Sequence, residues 1–585
     1  MKIVVFDFEV FRYDVLLGAI VLDTGEAPRI FQTWDPQEIK SFYYQNLDAI
    51  WIGHNNSHYD NYILQAIIKE QDPYKVSKSI IERDRPPRLD IKLNYYDLMS
   101  GHFASLKVLE AFDGKNISES EVDFDMDRAL YPEEREKVES YNRDDLDQTH
   151  DDLVRLKDEF QLRLDIIKEF HLPLDALHYT EAQVAAKALH AKKISDIENM
   201  PSDPRIYPNM QVTNKKAIDF YMGKSWEWRN KSKKSMCIPF CGTNHTIAAG
   251  GIHAGEIRHE KEAYYLDVSG YYNLIMINYN LLPRSIPADG KKLYEYMYHE
   301  QIRLKKINPT KRKVYKVILL AVFGAQSNQY CDFYDPNQGD LVRITGEMFL
   351  IDLLEKLEGK FDVIQSNTDG IMVKPLPGVD GESLFPIIEE WQKRTAFVLK
   401  VEKIFDIVQR DVNNYMYRDE SGSIHTKGEA VKYYDDWKNP FSLNAYNSKE
   451  ALIIHQCIVE YYMNGKKPEE VVDRYRREPK LFQYICKPQT YDFLTFEDGN
   501  DVVRLQKVNR CFAGKDLGMI YKNKQGKHDR YSSLPPRVFV HNDEILSQDT
   551  VDELCNKIDY SYYIMRAYER IGEFRLPDHE QLSLF

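Results

Sequence analysis

Two acidic side chains near the start of the chain suggest a site for a divalent cation. Asp7 and Glu9 lie two residues apart in KIVVFDFEVF, a segment with the composition of a β-strand. Because successive side chains of a strand point to opposite faces, both carboxylates emerge on one face. Adjacent carboxylates in an apolar strand are costly unless a cation lies between them, and hard oxygen ligands suit Mg²⁺ or Mn²⁺. The pair therefore predicts metal-dependent chemistry.

Three further residues extend this acidic set. Asp60 comes shortly after a second predicted strand, AIWIGHN, and Tyr141 and Asp145 lie four residues apart in a charged helical stretch. Residues four apart in a helix share a face. Together these segments supply four carboxylates and a tyrosine able to orient a water molecule, as a metal-dependent nuclease requires.

The order and spacing of these residues resemble the three exonuclease motifs of proofreading DNA polymerases. Those motifs read D-x-E, N-x-x-x-[FY]-D and Y-x-x-x-D, and Asn55 supplies the asparagine of the second. The resemblance implies that two metal ions are held by Asp7, Glu9, Asp60 and Asp145. It also implies that Tyr141 positions the attacking water and that Asn55 contacts the terminal nucleotide.

A second group of residues has the types needed for nucleotidyl transfer. Asp267 ends an apolar strand, and Asp369 lies at the tip of a predicted hairpin, within Asn367-Thr368-Asp369-Gly370. Lys316 lies between them in the sequence, ahead of an apolar run. Phosphoryl transfer needs metal ions to neutralise developing charge and cations to hold the triphosphate, with little covalent chemistry by the protein. Two aspartates at strand ends and a helical lysine can supply this.

These residues, in order, resemble motifs A, B and C of family B DNA polymerases, especially the small bacteriophage enzymes. Asp267 and Tyr272 fit motif A, as metal ligand and sugar-stacking tyrosine, and Asp369 fits motif C as metal ligand, with two Mg²⁺ or Mn²⁺ ions implied per active site. Lys316, Phe323 and Gly324 keep the frame of motif B, which implies nucleotide contacts by Lys316 and Phe323. Gly250-Gly251 resembles the glycine pair between exonuclease and palm that touches the template, and later elements imply DNA contacts by Tyr415 and Lys427. The similarity runs from residue 3 to about residue 430.

The sequence departs from the family pattern at several positions. Leu320-Ala321 stands where motif B usually has Asn-Ser, and Asn367 stands where motif C has its first aspartate. Motif A has Gly270 and Asn273 in place of serine and proline. Since an asparagine offers a carbonyl oxygen but no charge, we expect the two aspartates of the second group to form the catalytic pair, with main-chain oxygens completing the sites.

Nucleic-acid binding must depend on local positive charge, because the net charge of the 585 residues is −14. Residues 303–316 contain no acidic residue, and Arg303 and Arg312 in this run are predicted nucleotide contacts. Further cations near the C-terminus are predicted to follow a duplex backbone: Arg504, Lys507, Arg510, Lys515 and Lys522.

The spacing between motifs predicts how the enzyme is primed. Protein-primed phage polymerases, the nearest relatives by size, carry one insertion between motifs A and B and another between B and C. Here 48 residues separate Asp267 from Lys316, and 42 separate Gly324 from Asn367. This leaves no room for those insertions, so we expect ordinary 3′-OH priming without a terminal protein, and weak intrinsic processivity.

The last five residues predict a partner that restores processivity. Gln581-Leu582-Ser583-Leu584-Phe585 follows a polar stretch and resembles the Q-L-[SD]-L-F peptide with which bacterial proteins bind the β sliding clamp. Apolar side chains at an exposed terminus usually need a partner, and the implied clamp contacts are Gln581, Leu582, Leu584 and Phe585. Tethering to a clamp raises the effective concentration of the enzyme at the primer end.

The predicted elements place these residues in a multidomain α/β and α+β fold, a ribonuclease-H-like exonuclease followed by a right-hand polymerase. We expect a helix from Pro132 to Leu164, two helices over 291–324 broken at Asn308-Pro309, and a hairpin over 361–374. The predicted domains are the exonuclease (1–165), a connecting region with N-terminal palm (166–260), palm (261–290), fingers (291–330), palm (331–430), thumb (431–575) and clamp-binding tail (576–585).

The sequence leaves other functions open. One alternative is a 3′→5′ exonuclease whose degenerate polymerase domain only grips DNA, and another is a clamp-recruited, non-catalytic DNA-binding factor. RNA as template or product is a weaker option. No apolar run reaches the roughly 20 residues of a membrane span. We expect a cytoplasmic monomer that binds primer–template DNA and dNTPs, in a bacterial host if phage-encoded.

Overall fold

The chain is described by a computed structural model that covers residues 1–576 except 24, 83–87, 102–103, 118, 121, 224–234, 249, 440–441, 443–444, 488–490 and 500. The predicted clamp-binding residues 581–585 lie outside the described residues. No helix in the described part of the chain is both long and apolar enough to cross a lipid bilayer.

The described residues form 20 strands and 17 α-helices. The strands are β1 (Ile3–Val10), β2 (Val15–Leu22), β3 (Arg29–Thr33), β4 (Ile50–Gly53), β5 (Asn94–Asp97), β6 (Met236–Phe240), β7 (Thr243–Ala248), β8 (Gly251–Gly255), β9 (Arg258–Val268), β10 (Phe361–Ser366), β11 (Gly370–Pro375), β12 (Leu399–Asp411), β13 (Asn414–Asp419), β14 (Ile424–Lys427), β15 (Tyr484–Cys486), β16 (Phe493–Glu497), β17 (Val502–Leu505), β18 (Asn509–Lys524), β19 (Lys527–Arg530) and β20 (Val538–Val540). The helices are α1 (Pro36–Gln45), α2 (Asp60–Ile68), α3 (Pro73–Ile81), α4 (Leu106–Asp113), α5 (Pro132–Arg155), α6 (Lys157–Glu169), α7 (Glu181–Ala188), α8 (Lys215–Met222), α9 (Tyr271–Asn278), α10 (Ala288–Ile307), α11 (Pro309–Ala325), α12 (Pro336–Leu357), α13 (Leu384–Thr395), α14 (Leu452–Asn464), α15 (Pro468–Arg474), α16 (Gln548–Lys557) and α17 (Tyr560–Gly572).

The chain divides into two compact units, each built from separate stretches of sequence. The first unit contains residues 1–178, 435–454 and 469–566. The second contains residues 179–434, 455–468 and those from 567 onward. Both units combine helices with sheets, so the chain is a mixed α/β protein with more than one compact part, as the sequence predicts at this coarse level.

A five-stranded sheet in the first unit carries the first acidic pair. Its strand order is β3-β2-β1-β4-β5, with β1 antiparallel to β2 and parallel to β4. Val4, Phe6 and Phe8 of β1 pack into the core on one face. The period of two therefore directs the intervening acids Asp7 and Glu9 to the other face. Helix α5 crosses β1 and β2.

A second, six-stranded sheet in the first unit comes from the C-terminal part of the chain. It is built on the long strand β18, which pairs with β15, β16, β19 and β20, while β17 extends it beyond β16. The segment 114–119, which follows α4, hydrogen-bonds to the ends of this sheet, including Ile117 N to Asn542 O at 2.8 Å. Residues more than 400 positions apart thus share one compact unit.

The second unit contains a nine-stranded antiparallel sheet that carries the second acidic pair. Its order is β14-β13-β12-β9-β11-β10-β8-β7-β6. The hairpin β10–β11 lies beside β9, and α10 and α11 form a helical hairpin. The break between these helices lies at Asn308-Pro309, as predicted, and the Asn308 side chain accepts a hydrogen bond from Lys311 N at 3.0 Å.

Two local predictions differ from the structure. The predicted helix from Pro132 to Leu164 is two helices, because the backbone of Leu156 leaves helical geometry (φ −92°, ψ 11°) while its side chain is buried. Arg510 does not face solvent as a duplex contact must, since it is fully buried and hydrogen-bonds within the first unit. The prediction that it follows a duplex backbone is therefore wrong, whereas Arg504, Lys507 and Lys515 are exposed.

Candidate active sites

Three predicted metal ligands meet in the first unit. Asp7 and Glu9 of β1 and Asp145 of α5 each offer a carboxylate oxygen, and these oxygens all lie within 4.8 Å of one another. Glu9 and Asp145 are buried, and Asp7 is half-buried. Two elements that are far apart in sequence thus bring three acids to one point.

The fourth predicted acid lies beside this group. Asp60 is the first residue of α2 and is only 4% exposed. Its Oδ1 accepts a hydrogen bond at 3.2 Å from the backbone N–H of Phe8, the residue between Asp7 and Glu9. Burial raises the pKa of Asp60 to about 7, although hydrogen bonds from backbone N–H groups oppose the shift.

The electrostatics of the cluster fit a divalent cation. Burial raises the pKa of Asp7, and the negative charges of Asp60, Glu9 and Asp145 raise it further. Burial followed by the charges of Asp145 and Asp60 raises the pKa of Glu9 as well. These shifts express the cost of buried, mutually repelling carboxylates, and a cation among them removes it. The donors are all hard oxygens, which suit Mg²⁺ or Mn²⁺.

Lys107, which was not predicted as a site residue, neutralises part of this charge. Its Nζ donates to Asp145 Oδ1 at 2.6 Å and to Glu110 Oε1 at 3.1 Å, and it lies 4.5 Å from the centre of the Tyr141 ring. Its positive charge lowers the pKa of Asp7 and of Glu9. The only sequence signal was a single lysine in the short, largely apolar helix α4, which does not distinguish it from a surface residue.

Asn142 and Gly18 form a second contact that the sequence did not suggest. Asn142 Nδ2 donates to Asp7 Oδ2 at 2.9 Å. Gly18 is the β2 residue directly opposite Asp7, and a Cβ there would lie 1.8 Å from Asn142 Oδ1. A glycine at position 18 therefore creates the space in which Asn142 reaches Asp7.

Tyr141 contacts the acidic cluster directly, whereas Asn55 lies on a loop held by another acid, Asp97. The Tyr141 hydroxyl hydrogen-bonds Asp145, and burial together with the charge of Asp145 raises the pKa of Tyr141, so the phenol stays protonated as a donor. Asn55 has a positive φ of 63°, and its backbone N–H donates to Asp97 Oδ1 at 2.9 Å. Asp97 also accepts from Ser57 N at 3.2 Å, so one buried carboxylate shapes the loop that carries Asn55.

The second pair of acids lies side by side at the centre of the large sheet. Asp267 near the end of β9 pairs in register with Gly370, and Val268 N donates to the backbone oxygen of Asp369 at 3.0 Å. Asp369 is exposed and Asp267 half-buried. Burial and then the charge of Asp369 raise the pKa of Asp267, whereas Lys400, opposite Asp267 on β12, lowers it. Both carboxylates are at least partly accessible to solvent, and their oxygens are suitable ligands for hard cations such as Mg²⁺.

Tyr272 and Phe323 form a stacked pair next to these acids. Their rings lie 4.1 Å apart at an interplanar angle of 11°, and the Tyr272 hydroxyl donates to Thr368 O at 3.3 Å. Gly270, where the family pattern has serine, adopts a φ of 61°, and a Cβ there would lie 2.9 Å from the Tyr298 ring. This close approach accounts for a glycine at the start of α9.

One face of α11 carries the other predicted nucleotide contacts. Lys316, Leu320 and Gly324 are exposed at helical spacing, with Arg312 half-buried one turn earlier. Leu320 is 56% exposed. An apolar side chain is thus exposed to solvent at the position where motif B usually has asparagine. Arg303 on α10 is exposed and is bound to Glu300 through Nε at 2.8 Å.

Among the predicted DNA contacts, Gly251 lies beside the tip of the β10–β11 hairpin, whereas Tyr415 is only 5% exposed and packs in the core of the large sheet. Gly251 has a φ of 144°, and a Cβ there would lie 3.2 Å from Thr368. Tyr415 and Lys427 are partners in the β13–β14 register, with Lys427 Nζ 5.7 Å from the ring centre. The charge of Lys427 also lowers the pKa of His253, after burial. His253, on β8, was not predicted.

The side-chain carbonyl of Asn367 is hydrogen-bonded within the hairpin turn. Its Oδ1 accepts hydrogen bonds from Thr368 N at 2.8 Å and from the Thr368 hydroxyl at 3.1 Å. It therefore stabilises the hairpin turn that presents Asp369.

Among the comparisons with known proteins, only the search of solved structures found a match. No protein-family model matches the chain, and no curated protein matches it. Among solved structures, a family B DNA polymerase from the hyperthermophilic archaeon Pyrobaculum calidifontis is similar at 13% sequence identity and a TM-score of 0.44, over 99% of this chain and 79% of that one. Similarity at this level does not establish a shared activity, so function must be inferred from the chain's own side chains.

Proposed function

We propose that the protein is a DNA-directed DNA polymerase with a 3′→5′ proofreading exonuclease. The observation that carries this proposal is the presence of two separate carboxylate sites, one in each compact unit. One is the buried group of Asp7, Glu9 and Asp145, and the other is the open pair of Asp267 and Asp369. A single phosphodiesterase site would not require the second pair.

In the exonuclease, Asp7, Glu9, Asp60 and Asp145 would hold two divalent cations. Bound cations supply charge neutralisation and lower the pKa of a coordinated water. Tyr141, kept protonated and donating to Asp145, would position the attacking water by accepting a hydrogen bond from it. Lys107 would hold the carboxylate of Asp145, and Asn142 would hold that of Asp7. Asn55 contacts the terminal nucleotide.

In the polymerase, Asp267 and Asp369 would hold the cations that the nucleotidyl transfer requires. The exposed face of α11, with Lys316 and Arg312, and Arg303 on α10 receive the triphosphate, because cations stabilise its charge. The stacked rings of Tyr272 and Phe323 would contact the sugar and base of the incoming nucleotide. Primer–template DNA would lie against Gly250, Gly251 and Lys427, and the largely buried Tyr415 would support the ammonium of Lys427.

Extension of a 5′-labelled primer on a longer template tests both activities together. The wild type, Asp267→Ala and Asp7→Ala are incubated with Mg²⁺, with and without dNTPs. The wild type should extend the primer with dNTPs and shorten it without them. Asp267→Ala should lose only extension, and Asp7→Ala only shortening.

A nuclease with a degenerate polymerase domain is the second candidate. It is favoured by the fact that, among the described residues, a three-carboxylate group forms around Asp7 whereas none forms around Asp267. Shortening that depends on Asp7, with no extension by any variant, would select this candidate. Absence of both activities would select a non-catalytic DNA-binding factor.

We also infer a bacteriophage-type enzyme that primes from ordinary 3′-OH ends and gains processivity from the bacterial β sliding clamp. Gln581, Leu582, Leu584 and Phe585 would occupy the clamp pocket, and the enzyme would act as a monomer in the host cytoplasm. Deleting residues 581–585 should abolish stimulation by clamp but leave basal extension unchanged. Equal stimulation of the truncated and intact enzymes would exclude this tail as the clamp ligand.

A further inference from the structure

Helix α4 connects the exonuclease acids to the C-terminal sheet of the same unit. Its second residue, Lys107, donates to Asp145 at 2.6 Å. Its last turn, four residues further on, contacts residues of β18. At 1.5 Å rise per residue the two ends of this contact are about 6 Å apart. Because a helix is nearly rigid over such a distance, a displacement of its C-terminal end also displaces Lys107.

The contact at the C-terminal end is made by a buried arginine. Arg510 Nη2 donates to Ala111 O at 2.8 Å and to Lys115 O at 2.9 Å. Its Nε donates to Gln483 Oε1 at 3.0 Å, and Nη1 donates to Asp543 O at 2.7 Å. A cation at a helix C-terminus also interacts favourably with the helix dipole. The guanidinium thus joins the end of α4 to two segments of the C-terminal sheet region.

Burying the charged side chain of Arg510 costs free energy unless its N–H groups are hydrogen-bonded. These hydrogen bonds fix its position. The side chain is fully buried, and burial lowers the pKa of Arg510 to about 10. A buried charge is retained only when its hydrogen bonds are satisfied. The five N–H groups of a guanidinium lie in one plane, so four acceptors around it fix the relative positions of the segments that supply them.

Backbone contacts and a shared core support the same connection. Ile117 N donates to Asn542 O and Ile545 N to Gly114 O, both at 2.8 Å. Gly114 adopts a φ of 83°, and a Cβ there would lie 3.0 Å from Ile545 Cγ1. A small apolar core combines both parts of the unit: Val108, Ala111, Ile117 and Val508.

Within the described part of the chain, Lys107 has no anchor of its own in the C-terminal sheet. Among these residues its Nζ hydrogen-bonds only to Asp145 and Glu110, and beside it lies an open pocket of about 260 Å³ that is also lined by Glu110 and Glu544. Its position relative to Asp145 therefore depends on where α4 lies, and the contacts of Arg510 help to set the position of α4.

We propose that Arg510 is a positioning residue for the exonuclease site, acting through helix α4 on Lys107. The proposal rests on the exonuclease function proposed above. It makes the C-terminal sheet part of the apparatus that orders the exonuclease acids. Arg510 does not contact the reacting atoms, and its effect is exerted wholly through the lysine that neutralises Asp145.

A double-mutant cycle tests this pathway in the full-length protein. The rate of shortening of single-stranded DNA is measured for wild type, Lys107→Met, Arg510→Met and the double variant. Each single change should lower kcat about 10–100-fold, as loss of a partner behind metal ligands does. The double variant should be no slower than Lys107→Met, because both changes remove the same contribution. KM for DNA and the rate of primer extension should stay within about twofold of wild type.

Controls separate positioning from general destabilisation. Arg477→Met removes an exposed arginine of the same unit, bonded to Asp552, and should leave kcat unchanged. Arg510→Lys should restore part of the loss, because an ammonium can still reach Ala111 O. Multiplicative effects in the double variant, or an equal loss of primer extension, would overturn the proposal.

A second variant keeps the test independent of the folding of Arg510→Met. Gly114→Ala forces a Cβ against Ile545 at a positive φ and displaces the same end of α4. It should show the same non-additivity with Lys107→Met, and a kcat equal to wild type would contradict the proposal. If the wild type itself shows no shortening that depends on Asp7, the proposed exonuclease function fails instead.

Discussion

The two acidic sites differ in how the chain holds them. Around Asp7 the carboxylates are buried, close together and contacted by Lys107 and Asn142. Around Asp267 there are two carboxylates, one of them on an exposed hairpin tip, positioned by strand register alone. Carboxylates that are already close together in the folded chain repel one another, and a bound cation removes this repulsion. Two exposed carboxylates need further ligands, which a bound substrate can supply. The first site should therefore bind cations before DNA, and the second with its nucleotide.

Cation binding to the DNA-free protein is the strongest test of this difference. Titration with Mn²⁺, followed by calorimetry or electron paramagnetic resonance, should reveal a site that Asp7→Asn weakens about 100-fold or more, beyond the 10–100-fold typical of losing an outer partner. Asp267→Asn should leave that binding unchanged. Equal losses in the two variants would show that the sites do not differ in pre-assembly.

Asp60 should make the stability of the protein depend on pH through the buried site. Its pKa is raised by burial from 3.8 to about 7, so the folded chain keeps a proton that the unfolded chain loses above about pH 4. The folded state binds more protons, and stability therefore falls as pH rises through this window. Without metal at pH 8, Asp60→Asn should raise the free energy of unfolding by about 2–4 kcal/mol, because one pKa unit corresponds to about 1.4 kcal/mol.

Urea unfolding at pH 5 and pH 8, with and without Mg²⁺, measures this effect. Asparagine keeps the acceptor for Phe8 N, so the hydrogen bond to β1 is retained. Saturating Mg²⁺ should reduce the difference, and the exposed Asp158→Asn should show none. A wild type whose stability rises between pH 5 and pH 8 relative to Asp60→Asn would contradict the sign.

Gly18 tests whether the buried site depends on close packing. In Gly18→Ala the new Cβ conflicts with Asn142, so Asn142 must leave Asp7 or β2 must shift. We expect about a tenfold loss of exonuclease kcat, with about 1–3 kcal/mol lost from stability by overpacking. Primer extension should be unaffected. Gly572→Ala, where no atom lies within 4 Å of the added Cβ, is the matched control.

Local signals in the sequence predicted many of the elements that carry the acids. They did not predict which other residues hold those acids in place. The strand that carries Asp7 and Glu9, the hairpin that carries Asp369 and the helix break at Asn308-Pro309 all follow from periodicity and from glycine and proline chemistry. Each depends on a few adjacent residues. This is why short motifs could identify the acids in both units.

Contacts between distant segments could not be predicted in this way. Lys107 meets Asp145 across 38 positions, and Asn142 meets Asp7 across 135. Arg510 meets Ala111 across 399, and its basic side chain suggested a surface contact with DNA instead. A lysine, an asparagine or an arginine carries no local pattern that states its partner. The residues that hold the buried site therefore become visible only in the folded chain.

The smallest expected effect concerns the open site. Tyr272→Phe removes only the hydroxyl that donates to Thr368 O at 3.3 Å, while the ring stacked on Phe323 remains. Loss of one half-exposed hydrogen bond costs about 1 kcal/mol or less, so extension with dNTPs should fall less than about fivefold. Tyr272→Ala removes the ring and should raise ribonucleotide incorporation, because nothing then fills the space beside the sugar. The ratio of rNTP to dNTP incorporation distinguishes the two, and a Phe variant as permissive as the Ala variant would assign discrimination to the hydroxyl rather than the ring.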